Sequence, residues 1–244
     1  MGHPSSPCWW ASPATLRAGS PGEVQKEEVL AHLSYFMEWG GRSWEKLCRY
    51  ALHNLGDLQG KTILEVGPRF GKMAVCFALL GARVVGIETS ARAVKRAEEE
   101  AKRWGVQAKV SVVLYDGDPD HCEALNDSVF DLIFTKSVLV LLGGSLADYL
   151  HKLDRRLKPE GRCIFLENRH GGPVFALLRR LLRPRKLPHR ITLLRPEHLR
   201  LIGHVFHLTE VKKSLIPPIY LIVARKNLLA VQRPEPAACL RRRR

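Results

Sequence analysis

Two glutamates flank a glycine turn, Glu65 within one short apolar run and Glu88 closing the next: Lys61-Thr-Ile-Leu-Glu65-Val-Gly67-Pro-Arg69-Phe-Gly71, followed by Val84-Val-Gly-Ile-Glu88. These residue types in this order suit a nucleotide cofactor. A carboxylate at the end of a second strand can accept hydrogen bonds from two ribose hydroxyls. Glycines let the backbone approach a ligand with no Cβ in the way, and a helix N-terminus behind them offers unpaired N–H groups. The positioning elements follow from the pattern. Thr62 to Val66 is short enough for a buried parallel strand, and Phe70 to Leu80 continues at helical spacing up to the Gly81 stop.

A charged helix (Ala91 to Trp104) and a third strand (Lys109 to Leu114) lead to Tyr115-Asp116-Gly117-Asp118. A fourth strand follows in Phe130-Asp131-Leu-Ile-Phe134-Thr-Lys136, then a helix, then Leu157-Lys158-Pro159-Glu160-Gly161-Arg-Cys-Ile-Phe-Leu-Glu167. Strand and helix alternate as repeated crossover units require, and right-handed crossovers bring the ends of the first four strands to one rim. Glu65, Glu88, Asp118 and Lys136 therefore share an edge. Near it the groups able to move a proton or hold an acceptor are Lys136, Glu167, Asn168 and His170. Histidine titrates in the range that proton transfer needs, and Lys136 suits an anion; each also has a plain structural reading.

Over residues 45–227 these ordered motifs resemble the class I S-adenosylmethionine-dependent methyltransferases. The resemblance implies a Rossmann-like α/β fold, an open sheet of seven strands, six parallel and the last antiparallel, with helices on both faces. It implies S-adenosyl-L-methionine as cofactor, with Gly67 and Gly71 forming its turn and Glu88 on the ribose. Asp118, or its neighbour Asp116, falls on the adenine side. Glu65 either holds the N–H groups of the turn or contacts the amino group of the methionine part. The chain departs from the family at the middle glycine of the turn, which here is Arg69. Its guanidinium can reach the methionine carboxylate, point to solvent, or obstruct the pocket and leave a non-catalytic relative. In the family, N-terminal helices often wall the acceptor pocket, which makes Tyr35 and Trp39 substrate-binding candidates; packing of the helices onto the sheet is the alternative.

With 244 residues and 45% apolar content the chain can bury one substantial core. The expected division is a disordered N-terminal tail (1–22), a helical cap (23–55), a methyltransferase domain (56–227) and a basic C-terminal tail (228–244). No stretch approaches the roughly 20 apolar residues of a spanning helix, so a soluble, cytoplasmic protein is expected. Six cysteines in unrelated contexts support neither a disulfide framework nor a metal site, and Cys76 and Cys163 read as core positions. The net charge of +15 is unevenly placed, since Asn168 to Pro196 holds eight Lys or Arg, among them Arg179 and Arg183, and no acid. This insertion (168–196) follows the fifth strand near the mouth of the site and points to an anionic small-molecule acceptor, with Arg179 and Arg183 among its ligands; a solvated basic face on an arginine-rich chain is the alternative. Its amphipathic helix, Pro173 to Arg183, suits either a substrate cap or peripheral contact with a membrane. RNA stands second as a partner, because no stacking aromatics interleave with the cations.

Overall fold

Period-two alternation of apolar residues sorts each central strand onto two faces, and the computed structural model describes the result for residues 26–173, 175 and 191–228. Seven strands form one sheet: β1 (Thr62–Val66), β2 (Arg83–Glu88), β3 (Val110–Leu114), β4 (Phe130–Lys136), β5 (Leu157–Asn168), β6 (Phe206–Ser214) and β7 (Ile219–Lys226). Their order across the sheet is β3-β2-β1-β4-β5-β7-β6. β7 runs antiparallel to both β5 and β6, and the other six are parallel, as expected. The chain reverses its direction of travel across the sheet between β1 and β4. That is the switch point where such sheets leave a crevice beyond the carboxyl ends of the strands.

One face carries Ile63, Val84, Leu132, Phe134, Ile164, Leu166, Ile219 and Leu221. On it lie α1 (Lys26–Ala31), α2 (Leu33–Phe36), α3 (Gly41–Asn54) and α4 (Lys72–Leu79), with the end of α5 (Ala91–Arg103) contributing Ala101. The other face carries Leu64, Val66, Ile133, Cys163, Phe165 and Ile222. It is covered by α6 (Leu139–Leu142), α7 (Leu146–Arg155) and α8 (Pro196–Val205). Edge-on ring contacts, Phe77 with Phe134 at 5.2 Å on the first face and Phe165 with Phe206 at 5.8 Å on the second, fill the two layers. The N-terminal helices share one core with the sheet: Leu30, Leu33, Phe36 and Trp44 are all buried in it. Cys76 and Cys163 are buried free thiols that fill small apolar positions.

At the amino edge, Asp131 joins three strands. Its Oδ2 accepts from the Thr62 N–H at 2.8 Å, the Thr62 hydroxyl at 2.8 Å and the Lys158 ammonium at 2.9 Å. Against the desolvation that would raise it, these donors lower its carboxyl to a pKa of about 2. Boundaries differ from the sequence expectation in two places. β5 begins at Leu157, because the Pro159-Glu160-Gly161 turn is taken up as an irregularity in its pairing with β4. The last helix runs on to Val205, so β6 starts at Phe206 rather than at residue 204.

Residues 1–22, Arg179, Arg183 with most of the Pro173 to Arg183 segment, and residues 229–244 lie outside the described residues.

Candidate active site

The glycine turn between β1 and α4 is shaped by backbone that side chains resist. Gly67 has φ 68° and Gly71 has φ 73°. A Cβ on Gly67 would stand 2.9 Å from Val138 Cγ2, and one on Gly71 would stand 2.6 Å from Ala97 Cβ. Arg69 adopts the same left-handed conformation with φ 50°, which a side-chain-bearing residue holds only at a cost of about 1–2 kcal/mol. The turn thus keeps a glycine-like path at the position where the family's glycine is missing. The Arg69 guanidinium lies 5.3 Å from the centroid of the Phe70 ring.

Glu88 binds this turn from the neighbouring strand. Its Oε2 accepts from the Arg69 N–H at 3.0 Å, and its Oε1 accepts from the N–H groups of Thr89 at 2.8 Å and Ser90 at 3.2 Å. A carboxylate has about four acceptor positions, so Oε2 retains capacity for a further donor. Glu65, next to the turn on β1, is only 4% exposed, and its Oε2 is buried without a hydrogen-bond partner. Burial pushes its carboxyl up to a pKa of about 8, against the pull of Lys136. An orphaned carboxylate oxygen and a glycine cradle at the switch point fit the amino-acid and ribose parts of the cofactor that the motifs imply.

By strand alternation Lys136, at the end of β4, lies on the same face as Glu65, because Glu65 pairs with Phe134. Its ammonium donates to the Met37 carbonyl and stands 4.1 Å from the Trp39 ring centroid. Burial lowers its pKa to about 8. The loop Met37–Gly40, between α2 and α3, is thereby fastened over the carboxyl edge of β1 and β4. Within that loop Glu38 has φ 60° and a buried, unpartnered Oε1. Nothing in the sequence reading singled out Glu38. The available signal was one charge in an apolar stretch, Phe36-Met37-Glu38-Trp39, immediately before Gly40-Gly41.

The remaining candidates are placed apart from this cluster. Glu167 is fully buried on the opposite face, where it accepts from the Thr135 hydroxyl at 2.8 Å and from the Val138 and Leu139 N–H groups at 3.0 and 3.1 Å. Desolvation raises its pKa to about 7. Asn168 donates to the Ser137 hydroxyl at 2.6 Å, bracing a residue with φ 60°. His170 accepts the Gly172 N–H on Nδ1 at 3.2 Å, while its backbone N–H donates to the Leu194 carbonyl at 2.7 Å. Asp118 accepts from the Lys152 ammonium at 2.7 Å, which holds its carboxyl below the ordinary value, and Asp116 accepts from the Asp118 N–H at 2.8 Å. Tyr35 donates to Glu100 and packs against Phe36 and Trp104, so α2 is anchored on α5 through it. Of the basic insertion's described cations, Arg169 donates to the Ser214 carbonyl and holds the β6–β7 turn.

Comparison with known proteins agrees with this geometry. Residues 64–165, from β1 to β5, match the model of a methyltransferase domain. Ribosomal protein L11 methyltransferase from Tolumonas auensis is 30% identical over 116 residues, 47% of this chain and 36% of that protein. The enzyme of the same name from Photobacterium profundum is 28% identical over 154 residues, 63% of this chain and 48% of that protein. The chain thus spans about a third to a half of the length of these curated relatives. Among solved structures, the N-methyltransferase NodS from Bradyrhizobium japonicum in complex with S-adenosyl-L-homocysteine has a TM-score of 0.59 at 20% identity, over 82% of this chain and 96% of that one. Magnesium protoporphyrin IX methyltransferase from Synechocystis, also with bound S-adenosyl-L-homocysteine, has a TM-score of 0.61 at 13% identity, over 85% and 90%. At these identities the likeness is one of fold.

Proposed function

We propose that this chain, which belongs to the class I S-adenosylmethionine-dependent methyltransferases, transfers a methyl group to an oxygen or nitrogen of a small-to-medium anionic acceptor. The observation that carries this reading is the glycine turn at the switch point with Glu65 and Glu88 on either side. When bound, S-adenosyl-L-methionine supplies an electrophilic methyl group on a sulfonium, a leaving group that needs no protonation. The protein's work is then alignment and exclusion of water.

In this reading Gly67 and Gly71 admit the cofactor to the backbone, with Arg69 passing over it in a glycine-like conformation. Glu88 accepts the ribose hydroxyls while it keeps the turn closed. Glu65 accepts the ammonium of the amino-acid end, and Asp118 lines the adenine side from the loop after β3. Trp39 and Met37 shield the transfer point, and Lys136 faces it as the cation that orients an anion. Arg179 and Arg183, outside the described residues, stay acceptor-binding candidates on the charge of their segment alone. His170 is the candidate base for an acceptor that must lose a proton. Glu167 acts indirectly, by holding the loop after β4 through its bonds to Val138 and Leu139. The names of the relatives make a ribosomal protein the second acceptor to test.

Calorimetric titration with S-adenosylmethionine and S-adenosylhomocysteine tests the cofactor site. Micromolar binding by wild type, lost in Glu88→Ala, is expected; a wild type that binds neither compound refutes the proposal. Transfer of labelled methyl to phosphate- or carboxylate-bearing small molecules, set against transfer to ribosomal protein L11, decides the acceptor class.

A further inference from the structure

The turn between β6 and β7, Leu215-Ile216-Pro217-Pro218, stands beyond the carboxyl end of β5, because Ile219 pairs with both Asn168 and Ser214. It therefore projects from the same sheet edge as the glycine turn. Leu215 is 72% exposed and Ile216 75%, whereas the other exposed large apolar side chains among the described residues, Leu114, Val129, Leu141 and Leu228, are scattered along the chain. Single exposed apolar residues are ordinary on a protein surface. An adjacent pair at a tip is not, and this one is held in place. Arg169 donates Nε and Nη2 to the Ser214 carbonyl at 3.2 and 3.0 Å, and its backbone N–H donates to the Pro218 carbonyl at 3.1 Å. The Ser43 hydroxyl, in the first turn of α3, donates to the Ile216 carbonyl at 2.8 Å. Apolar surroundings would leave none of these three carbonyls unpaired.

Three segments meet at this tip, residues 39–44, 168–175 and 211–219, and together they hold Arg42, Arg169, Lys212 and Lys213 and no acid. Of the acids that border them, Glu45 is paired with Arg49 at 2.7 Å, Glu210 takes up Lys212 at 3.2 Å, and Glu38 has its Oε1 buried. Arg42 and Lys213 are exposed, and the bonds of Arg169 go to carbonyls, which leave its charge uncompensated. Gly171 lets the start of the basic insertion pack onto the turn: a Cβ there would stand 2.7 Å from both Phe175 Cβ and Pro218 Cγ. Residues 176–190, which follow, lie outside the described residues; their composition, six Lys or Arg and no acid, has the same sign.

We propose that the β6–β7 turn docks on an anionic lipid surface, with Leu215 and Ile216 entering the bilayer interface and Arg42, Arg169 and Lys213 lying against the headgroups. An apolar tip ringed by cations matches both layers of such a surface, hydrocarbon below and phosphate above. A protein partner fits less well, because a specific interface needs about 800 Å² from each side, far more than two side chains supply. A bilayer asks for no such shape match. The cap loop Met37–Gly40 leads directly into α3, whose Ser43 holds the tip, so docking sets the mouth of the site against the membrane.

Co-sedimentation of the full chain with vesicles tests this, using phosphatidylcholine alone and phosphatidylcholine mixed with phosphatidylglycerol. Wild type should bind the mixed vesicles in preference, and less as salt is raised. Combining Leu215→Ser with Ile216→Ser should weaken that binding about a hundredfold, about tenfold for each side chain withdrawn from lipid. Its melting temperature and S-adenosylhomocysteine affinity should stay those of wild type, because both side chains are exposed and lie outside the cofactor turn. Arg42→Gln and Lys213→Gln should each cost about fivefold on mixed vesicles and flatten the salt dependence. A wild type that ignores the mixed vesicles overturns the proposal. So does unchanged binding by the double serine variant, which would assign attachment to cations elsewhere. So does a double serine variant that keeps its vesicles but loses methyl transfer to ribosomal protein L11, which would make the tip a protein contact. No cofactor enters the vesicle assay, so failure of the methyltransferase reading leaves its result standing.

Discussion

Glu65 ties the stability of the ligand-free protein to pH, and substitution by glutamine exposes the link. Burial raises its carboxyl from 4.5 to about 8 in the folded chain. The folded state therefore binds the proton more tightly than the unfolded state, so stability is full below pH 4.5 and falls as pH rises toward 8. Across that window one group of this kind removes about 1.4 kcal/mol per pH unit. Glu167 adds a loss of the same sign that ends near pH 7. Lys136, lowered to about 8, acts in the opposite sense, and only above that pH. Between pH 5.5 and 7.5 the wild type should lose about 3 kcal/mol more stability than Glu65→Gln, in which the Glu167 contribution persists. With a urea dependence of about 2–3 kcal/mol per molar, the midpoints of the two proteins should diverge by about 1 M over those two pH units. Urea unfolding followed by circular dichroism at four pH values measures this. An ammonium-bearing ligand should shrink the divergence, because a donor on Oε2 stabilises the ionised form. Parallel pH profiles for wild type and Glu65→Gln would refute the argument that the carboxylate is buried without a donor.

Gly71→Ala should destabilise the fold by about 2 kcal/mol or more, since its Cβ would meet Ala97 Cβ at 2.6 Å in a left-handed turn; a melting temperature equal to wild type would contradict it. Arg69→Gly should leave stability within about 1 kcal/mol of wild type, because strain relief offsets glycine's added unfolded-state entropy, as chemical denaturation would show. Asp131→Asn should cost about 1–3 kcal/mol at pH 7 by weakening the bonds from Thr62 and Lys158. Because the folded carboxyl is depressed to about 2, the wild-type advantage is present above pH 4 and lost as pH falls toward 2, so the two unfolding curves should converge in acid.

The sheet was legible because its strands carry their own addresses. Thr62–Val66 and Arg83–Glu88 are short apolar runs bounded by glycine or a charge, and alternation assigns Ile63 and Leu64 to opposite faces. Glu65 and Glu88 could be found because a carboxylate at a strand end beside a glycine turn is a local pattern. Glu167 shows where such reasoning stops. It lies near the carboxyl end of its strand, as Glu65 and Glu88 do, yet it faces the opposite layer and is consumed by the N–H groups of Val138 and Leu139. Which face a terminal residue occupies depends on the register of β5 with β4, and the irregularity beside Pro159 makes that register unreadable from the chain. Tyr35 illustrates the same limit for the cap. Its aromatic neighbour Phe36 is buried at 0% exposure, but Tyr35 itself is fixed by Glu100, 65 positions away, which no local signal announces.

The cap loop was missed for a different reason. Helical periodicity identifies the residues that face a core, and by that measure Glu38 is an interruption. Its position becomes meaningful only when β4 brings Lys136 beneath the loop and the glycine turn brings Arg69 beside it, a meeting of three segments separated by about 30 to 70 residues. Arg69 and Glu38 have the same underlying logic. Each is a charged residue held in backbone that glycine would occupy more cheaply, and each stands within electrostatic reach of the other. A turn that replaces glycine with arginine keeps the cofactor path and adds a positive charge to its rim. A loop that holds a strained glutamate within its electrostatic reach adds the opposing charge. The departure from the family pattern at Arg69 is thus matched by Glu38 in the cap, and testing either residue alone removes half of a paired arrangement. A double-mutant cycle on Arg69→Gly and Glu38→Gln should give a coupling of about 0.5–1 kcal/mol in S-adenosylhomocysteine affinity, whereas strict additivity would separate the two residues into unrelated features.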